Sequence, residues 1–596
     1  MPGLITSAAT GRDRTRSRAM RHTRSTGADM STELTALVSA MDTARQQLTG
    51  PGAPWELEQR TINGVELRCY KQAPGTLRDA IDSGRTHGDR ICVSYEDERY
   101  TFDAFFEAAD RLANHLVSNC GVHRGDRVAI AMRNYPEWMM TFVAAVSIGA
   151  IVVPLNSWGK TEELCYGIQD SGSRIVVCDS QRLELIRDAL PELDCKAILV
   201  RGGDAGDERV EPWSVSQQQA AKHPEVEISP GDLAIIMYTS GTTGKPKGAA
   251  STHFAVAQAL YNFEFHAAQS AMANMPTIEK MLGSGFDSAT LLAVPLFHVS
   301  GCYAIFLGNL RGGRKTCIMY KWDPARALEI IESERITVFT GVPTMTMALL
   351  EHPNFASTDT SSLFALGAGG TACPPHLTDL IYSKLPDAYP GTGYGMTETN
   401  ATGSSCTGAA FRLRPNAAGN LSPIVEVRTV NENGEALPAG ETGELYLRSP
   451  TNVQRYWNLP EASAATFIDG WVATGDIGHV DDLGFLYVVD RVKDMVIRGG
   501  ENIYPVEVEG VLLTHPAVHE ATVFGVPHQR WGEELMASVY LGEDVASEEE
   551  LRTFLGEHLA AFKVPARILI SSGELPKNAT GKVLKKAIRD AYLAQS

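Results

Sequence analysis

The sequence predicts an α/β protein: a large N-terminal domain of packed α/β subdomains followed by a small C-terminal α+β domain. Three observations carry this. The chain has 596 residues, too many for one hydrophobic core. From Trp55 onward, short apolar runs alternate with amphipathic helical stretches. Near residue 490 a charged segment, Asp490-Arg491-Val492-Lys493-Asp494, separates this body from about a hundred residues with their own helices and strands.

The elements follow in order. The first thirty residues carry Arg12, Arg14, Arg16, Arg18, Arg21 and Arg24, with Asp13 and Asp29 as their acids. This is a transit-peptide composition, but a disordered tail ahead of Met30 is the simpler reading. Residues 1–50 are expected to be a poorly ordered leader, although 31–47 has helical periodicity. The large domain is expected over 51–492, with strands at 127–132, 150–154, 174–178, 197–200 and 234–238 and helices at 102–119 and 324–334. The small domain, 493–596, should hold its own helices and strands among 505–513, 521–526, 536–541 and 547–561, with a helix beginning at Pro505.

Apolar residues make up 44% and charged residues 21%, which excludes a wholly disordered chain. The net charge of −18 argues against a general nucleic-acid or anionic-membrane binder. Ten scattered cysteines with no CxxC read as buried thiols in a reducing compartment, and they offer no close zinc-ligand spacing. The most apolar stretch, 291–310, is interrupted by Pro295, His298, Ser300 and Asn309, so no integral membrane segment is expected. With no apolar signal segment either, a cytoplasmic location is predicted.

The strongest motif is Tyr238-Thr239-Ser240-Gly241-Thr242-Thr243-Gly244-Lys245-Pro246-Lys247-Gly248, directly after the apolar run 233–237. Glycines let backbone N–H groups turn toward one ligand, hydroxyls add donors, and lysines add positive charge. A polyphosphate needs that mixture. GxxxxGK[ST] would require Gly at 239 and Ser or Thr at 246, where Thr239 and Pro246 stand, so the usual nucleoside-triphosphate loop is excluded. A second motif, Gly393-Tyr394-Gly395-Met396-Thr397-Glu398, offers an aromatic face for a base, a hydroxyl for a phosphate and a carboxylate for a hard cation.

The first loop resembles the phosphate-binding loop of the adenylate-forming superfamily, which includes acyl-CoA synthetases, 4-coumarate–CoA ligases, luciferases and peptide-synthetase adenylation domains. The resemblance spans roughly residues 55 to 586, with further motifs in the family's order. It implies the adenylate-forming enzyme fold, with a mobile small domain. It assigns ATP or AMP contacts to Thr239, Ser240, Gly241, Thr242, Thr243, Gly244 and Lys247. Pro295-Leu296-Phe297-His298 is similar to the aromatic segment beside the acyl pocket, making His298 a lining or gating residue. Val299, Cys302 and Tyr303 would continue that pocket. Gly367-Ala368-Gly369-Gly370-Thr371-Ala372 would flank adenine and the inner pocket, through Gly369, Gly370 and Thr371. By the same resemblance Tyr394 stacks near adenine, Gly395 borders both nucleotide and acyl group, and Met396 belongs to the nucleotide site. Thr397 meets the α-phosphate, and Glu398 holds Mg²⁺. Asp476, in Gly470-Trp471-Val472-Ala473-Thr474-Gly475-Asp476, would bind ribose with Arg491. Lys493 matches the hinge, Arg498, Gly499 and Gly500 the coenzyme A passage, and Lys582 the catalytic lysine.

The implied reaction is ATP- and Mg²⁺-dependent ligation of a carboxylic acid to coenzyme A through an acyl-AMP. Adenylation domains for amino acids carry Asp after the aromatic residue; His298 stands there, so an amino-acid substrate is disfavoured. Small residues at 367–372 suggest a roomy pocket, and Met272, Met275 and Met281 read either as simple helix packing or as an adaptable apolar lining; the expected acid is a medium- or long-chain fatty acid, or a bulky alicyclic, aryl or terpenoid acid. Three alternatives share the scaffold: an acyl-AMP ligase that loads an acyl carrier protein, a luciferase-like oxidase, and a non-catalytic nucleotide-binding relative. Nucleic acid is not an expected partner, and the protein is expected as a monomer or homodimer.

Overall fold

The structure, a computed structural model, describes residues 27–202, 206–239, 245–370, 373–499, 501–578 and 581–594. Two large sheets, one small sheet and a two-stranded ribbon make up its β-structure among these residues.

The first large sheet has eight strands. Its centre is the parallel set Ile151–Pro154, Arg127–Ala131, Ile175–Asp179 and Lys196–Val200. These are the continuous apolar runs of the sequence, and nearly every residue in them is buried. Burial on both faces is what such runs require of a parallel sheet. Leu233–Thr239 joins this sheet and pairs antiparallel with Lys247–Thr252, so the phosphate-loop motif spans the tip of a hairpin.

The second sheet switches direction along its length. Strands Ile91–Tyr95, Lys315–Ile318, Ala289–Leu292, Val338–Gly341, Ala365–Ala368 and Gly391–Tyr394 run parallel, and everything beyond Gly391–Tyr394 is antiparallel. Helix Pro136–Ser147 is buried on every side, in one core cluster with Val128 and Val152 of the first sheet and Val93 and Leu292 of the second. A helix apolar all round belongs between layers. The helix predicted at 324–334 is found as Pro324–Glu334, started by the Asp323 side chain, which accepts from Arg326 N–H.

The last sheet lies wholly within residues 496–571: Glu501–Ile503, Val496–Arg498, Gly532–Tyr540, Glu520–His528 and Arg567–Ser571. Helices Pro505–Leu512 and Glu548–His558 cover it, and they share a core with Val496, Val523, Leu535 and Ile568. Among the described residues, no core cluster draws side chains from both sides of residue 493. No helix among them is long and apolar enough to cross a membrane.

The expected poorly ordered leader is corrected from residue 27 onward; residues 1–26 lie outside the described set. Gly27–Thr49 forms a helix whose Leu37, Met41, Ala44 and Leu48 are buried. The spacing 37, 41, 44, 48 is one helical face, and helix His253–Ala273 receives it. Gln269 Nε2 donates to Met41 O at 3.1 Å, and Arg412 pairs with Glu33. Changing Leu37 or Met41 to Ala should each cost about 2–5 kcal/mol, the usual range for a buried aliphatic truncation. Denaturant unfolding checks this, and a midpoint unchanged from the parent would mean that the helix adds nothing to the body.

Candidate active site

In open α/β sheets ligands sit beyond the carboxyl ends of the parallel strands. Four such ends in the second sheet open together, and three of them carry predicted site residues. Ala289–Leu292 leads to Pro295 and His298, Val338–Gly341 to Val342, Ala365–Ala368 to Gly369, and Gly391–Tyr394 to Gly395. Gly395 is required by close approach: a Cβ there would lie 2.4 Å from the Ala401 carbonyl carbon. The turn is tight because Asn400 and Ala401 both have left-handed backbone, with φ of 51° and 59°. Asn400 is fixed by Ser251 Oγ, which donates to its Oδ1 at 2.8 Å, and by its own Nδ2, which donates to Thr451 O at 2.7 Å. Thr397 and Glu398 lie on the short turn between Gly395 and Asn400.

Asp476 is the buried centre of the site. It faces Arg491 across the antiparallel pair Trp471–Val480 and Phe485–Arg491. Arg491 Nε donates to Asp476 Oδ1 at 2.9 Å, and Tyr394 OH donates to Oδ2 at 2.7 Å. Burial, and next the Asp476 charge, push the Tyr394 phenol well above its ordinary value. Each Asp476 oxygen keeps lone-pair capacity for a ligand hydroxyl.

Glu398 is buried, and Tyr456 OH donates to its Oε1 at 2.7 Å. Burial raises its carboxyl pKa, against the Tyr456 hydrogen bond and the Arg491 and Lys247 charges. The Lys247 ammonium lies 4.9 Å from the centre of the Tyr456 ring, so one aromatic residue joins the hairpin lysine to the buried carboxylate. Sequence reasoning missed Tyr456. Its signal was the aromatic pair Tyr456-Trp457 just before Asn458 and Pro460.

Lys582 reaches this cleft from the small domain. Its turn is closed by Asn578, whose Oδ1 accepts from Lys582 N–H at 3.0 Å. Gly581 takes φ of 81° and comes so close to the large domain that a Cβ would sit 3.0 Å from Val342 Cγ2. The Lys582 side chain is exposed at the cleft surface but crowded by protein. Burial first, then the Arg491 charge, lowers its pKa, with Asp476 opposing and Lys493 adding to the shift. Lys493 is lowered as well, by burial first.

His298 is half-buried, its ring 4.5 Å from that of Phe297. The π-helical turn Ser300–Leu307 follows, and it needs Gly301, where a Cβ would lie 2.3 Å from Pro295 O. This turn departs from the expected pocket. Cys302 and Tyr303 are fully buried in the core, while Val299 is half-buried and Ser300 and Ala304 are exposed. The wide π turn rotates 302 and 303 inward and leaves 300 and 304 as the open face.

Thr239 and Lys247 are cross-strand partners at the hairpin base. Ser240, Gly241, Thr242, Thr243, Gly244, Thr371 and Gly500 lie outside the described residues. Gly369 and Gly370 follow their strand directly, and Met396 N–H donates to Thr399 Oγ1 at 3.2 Å. The structure keeps Arg498 and Gly499 among small-domain partners. Arg498 bonds Phe562 O and Glu534, each at 2.9 Å, and Gly499 N–H donates to Trp531 O at 2.8 Å. Trp531, exposed and overlain by Arg530, is a further residue that the sequence reading passed over.

Comparison with known proteins gives the same picture at the level of the whole chain. The AMP-binding enzyme family pattern matches residues 81–457, and that of the AMP-binding enzyme C-terminal domain matches 507–582. A long-chain-fatty-acid–CoA ligase of Mycobacterium tuberculosis, FadD13, is 32% identical over 91% of this chain and 98% of its own. A feruloyl-CoA synthase of an Amycolatopsis species is 36% identical over 81% of this chain and 92% of its own. The crystal structure of the anthranilate CoA ligase AuaEII with anthranoyl-AMP superposes with a TM-score of 0.77 at 27% identity, over 87% of this chain and 99% of that one.

Burial, and then the Lys582 ammonium, push the His298 imidazole down to about 4. The ring should therefore stay neutral from pH 5 to 8. Its Cε1 resonance should titrate near pH 4 and move upward in Lys582→Ala; a midpoint near 6.5 in the parent protein would contradict the placement.

Proposed function

The chain belongs to the AMP-binding enzyme family and is an AMP-forming acid–CoA ligase, and from that premise we propose that it activates a medium- or long-chain fatty acid or a bulky aryl, alicyclic or terpenoid acid, with Lys582 serving acyl-AMP formation and Lys493 the hinge. The observation that carries the residue assignment is the Gly581–Lys582 turn of the small domain set against the large one, where a Cβ on Gly581 would lie 3.0 Å from Val342 Cγ2.

In the first step a carboxylate oxygen attacks the α-phosphorus of ATP. A mixed anhydride bond forms, the bond to the bridging oxygen breaks, and pyrophosphate leaves. The task for the protein is to bring two anions together. The Lys582 ammonium bridges carboxylate and α-phosphate oxygens, Lys247 and the hairpin loop hold the leaving phosphates, and Thr397 donates to the α-phosphate. Asp476 accepts from the ribose hydroxyls, with Arg491 fixing its orientation. Tyr394 and the Gly369–Gly370 segment flank the adenine. Glu398 suits a hard divalent cation, because it is a buried carboxylate with one oxygen engaged by a neutral hydroxyl. It is the residue that would hold Mg²⁺, which when bound supplies neutralising charge to the polyphosphate.

In the second step the thiol sulfur of coenzyme A attacks the acyl carbon, the bond to the phosphate oxygen breaks, AMP leaves, and the thiol proton passes to solvent. The thiol needs the place that Lys582 occupies. Rotation of the small domain about Lys493 would withdraw Lys582 and bring in Arg498, Gly499 and Gly500, with Trp531 beside them. Each domain has its own core, which supports motion as rigid bodies.

The acid class is supported by the relatives named for long-chain-fatty-acid and feruloyl substrates. A panel of acids with ATP, with and without coenzyme A, tests it by mass spectrometry. AMP with acyl-CoA is expected; pyrophosphate without acyl-CoA would move the acceptor to a carrier-protein thiol. Lys582→Ala should slow acyl-AMP formation by about 10²–10³ while sparing thioester formation from supplied acyl-AMP. Lys493→Pro should do the reverse, and equal losses in both steps would refute the hinge.

A further inference from the structure

We propose that Asp490 is a positioning residue that holds the small domain, and through it Lys582, in the orientation for acyl-AMP formation by capping a small-domain helix from the opposite side of the hinge. The proposal rests on Lys493 as that hinge.

Helix Pro505–Leu512 has an unusual start. Its N-cap residue is Tyr504, whose side chain supplies no cap bond. The first N–H groups of a helix need outside acceptors, commonly Ser, Thr, Asp or Asn at the N-cap. Here the acceptor comes from elsewhere: Val506 N–H donates to Asp490 Oδ2 at 2.8 Å. Asp490 is buried on the last strand of the second sheet, where it pairs with Ile477, and its Oδ1 accepts from Arg491 N–H at 2.7 Å. The donor follows Lys493 in the chain and the acceptor precedes it. A rotation about Lys493 therefore breaks this bond, uncaps the helix and carries Asp490 toward water. Pro at the first helical position removes one orphan donor, which leaves Val506 N–H as the first that must be satisfied.

The charged surroundings are specific. Lys585 on the last helix faces Asp490, but its ammonium is paired with Glu509 Oε1 at 2.9 Å. Glu509, on the capped helix, opposes the Asp490 charge, and Tyr504, Arg491 and Asp494 complete the ring of groups. Burial pushes the Asp490 carboxyl up to about 6, with the two N–H donors and Lys585 opposing. A solvated carboxyl titrates lower. The buried orientation thus holds the proton more tightly, so it is favoured below about 6 and weakened as pH rises through that value. Thiolate formation on coenzyme A also rises with pH, so both effects favour the second step at the alkaline end.

The test separates the two half-reactions, using dodecanoate and ferulate as probe acids. ATP–pyrophosphate exchange reads the first, and coenzyme A-dependent consumption of the preformed acyl-AMP reads the second. Asp490→Ala should lower the first about tenfold, the size of one lost helix cap, and leave the second unchanged or faster. Asp490→Asn keeps an acceptor. It should retain the first half-reaction at pH 7 but lose the parent's change in the ratio of the two rates between pH 5 and 7.5. Without any acid, hydrogen exchange of the first-turn amides of 505–512 should quicken in Asp490→Ala. Equal losses in both half-reactions, parental exchange rates, or an Asp490→Asn variant with the parental pH response would each overturn the proposal. Lys493→Pro distinguishes the two readings: if it slows both steps equally the hinge fails, whereas a selective block with no selective effect of Asp490→Ala removes the cap alone.

Discussion

The constraint on which the site depends is the gathering of like charges. Lys247, Arg491, Lys493 and Lys582 act on one cleft in a protein of net charge −18. Cations placed this close repel, and the Lys582 pKa is lowered by burial first and then by that repulsion. Two buried carboxylates, Asp476 and Glu398, are the fixed counter-charges. Neither is left bare: Asp476 is bonded by Arg491 and Tyr394, and Glu398 by Tyr456. A polyanion entering the cleft relieves the repulsion, and a departing pyrophosphate restores it. On the proposed two-step reaction, the same arrangement would draw the small domain in for the first step and loosen it for the second.

The sheet explains why these groups meet at all. Parallel strands end together, so the loops after Ala289–Leu292, Val338–Gly341, Ala365–Ala368 and Gly391–Tyr394 open on one edge. The last of these is also where the sheet turns antiparallel, and the antiparallel part returns Asp476 and Arg491 to the side of Tyr394. Close approach at this reversal fixes Gly395 by sterics alone. The site is therefore a property of the sheet's topology, with loops supplying only the chemistry.

What was legible in the sequence follows from range. Short motifs that act through adjacent residues, such as 238–248 and 393–398, could be read because composition and order are sufficient. The continuous apolar strands were readable for the same reason, and so was the helix Pro324–Glu334, with its Asp cap and Pro start. Bonds between distant segments were not. Tyr456 lies 58 positions from Glu398, and nothing local distinguishes its hydroxyl from any other. The burial of Cys302 and Tyr303 was not legible either, because the resemblance carries the order of the residues and not the wider π turn that faces these two inward. The helix at 27–49 was partly visible in its periodicity, but its value depends on a partner face some two hundred residues away, as the Gln269–Met41 bond indicates.

The proposed hinge at residue 493 asks for two orientations close in energy, and the contacts there are of a kind that would allow it. An apolar core shared between the domains would make separation costly, since each buried side chain contributes about 1.5–3 kcal/mol. No described core cluster crosses that residue. Contact among the described residues includes instead a glycine turn against Val342, charge interactions around Lys582, and backbone N–H groups of Val506 on Asp490 and of Asp494 and Met495 on Arg491 O. Polar contacts of this kind exchange protein partners for water at a net of about 1 kcal/mol each. A few of them define an orientation without locking it. That is the energy scale on which binding and release of a nucleotide can decide the position of Lys582, and the reason the small domain needs a complete core of its own.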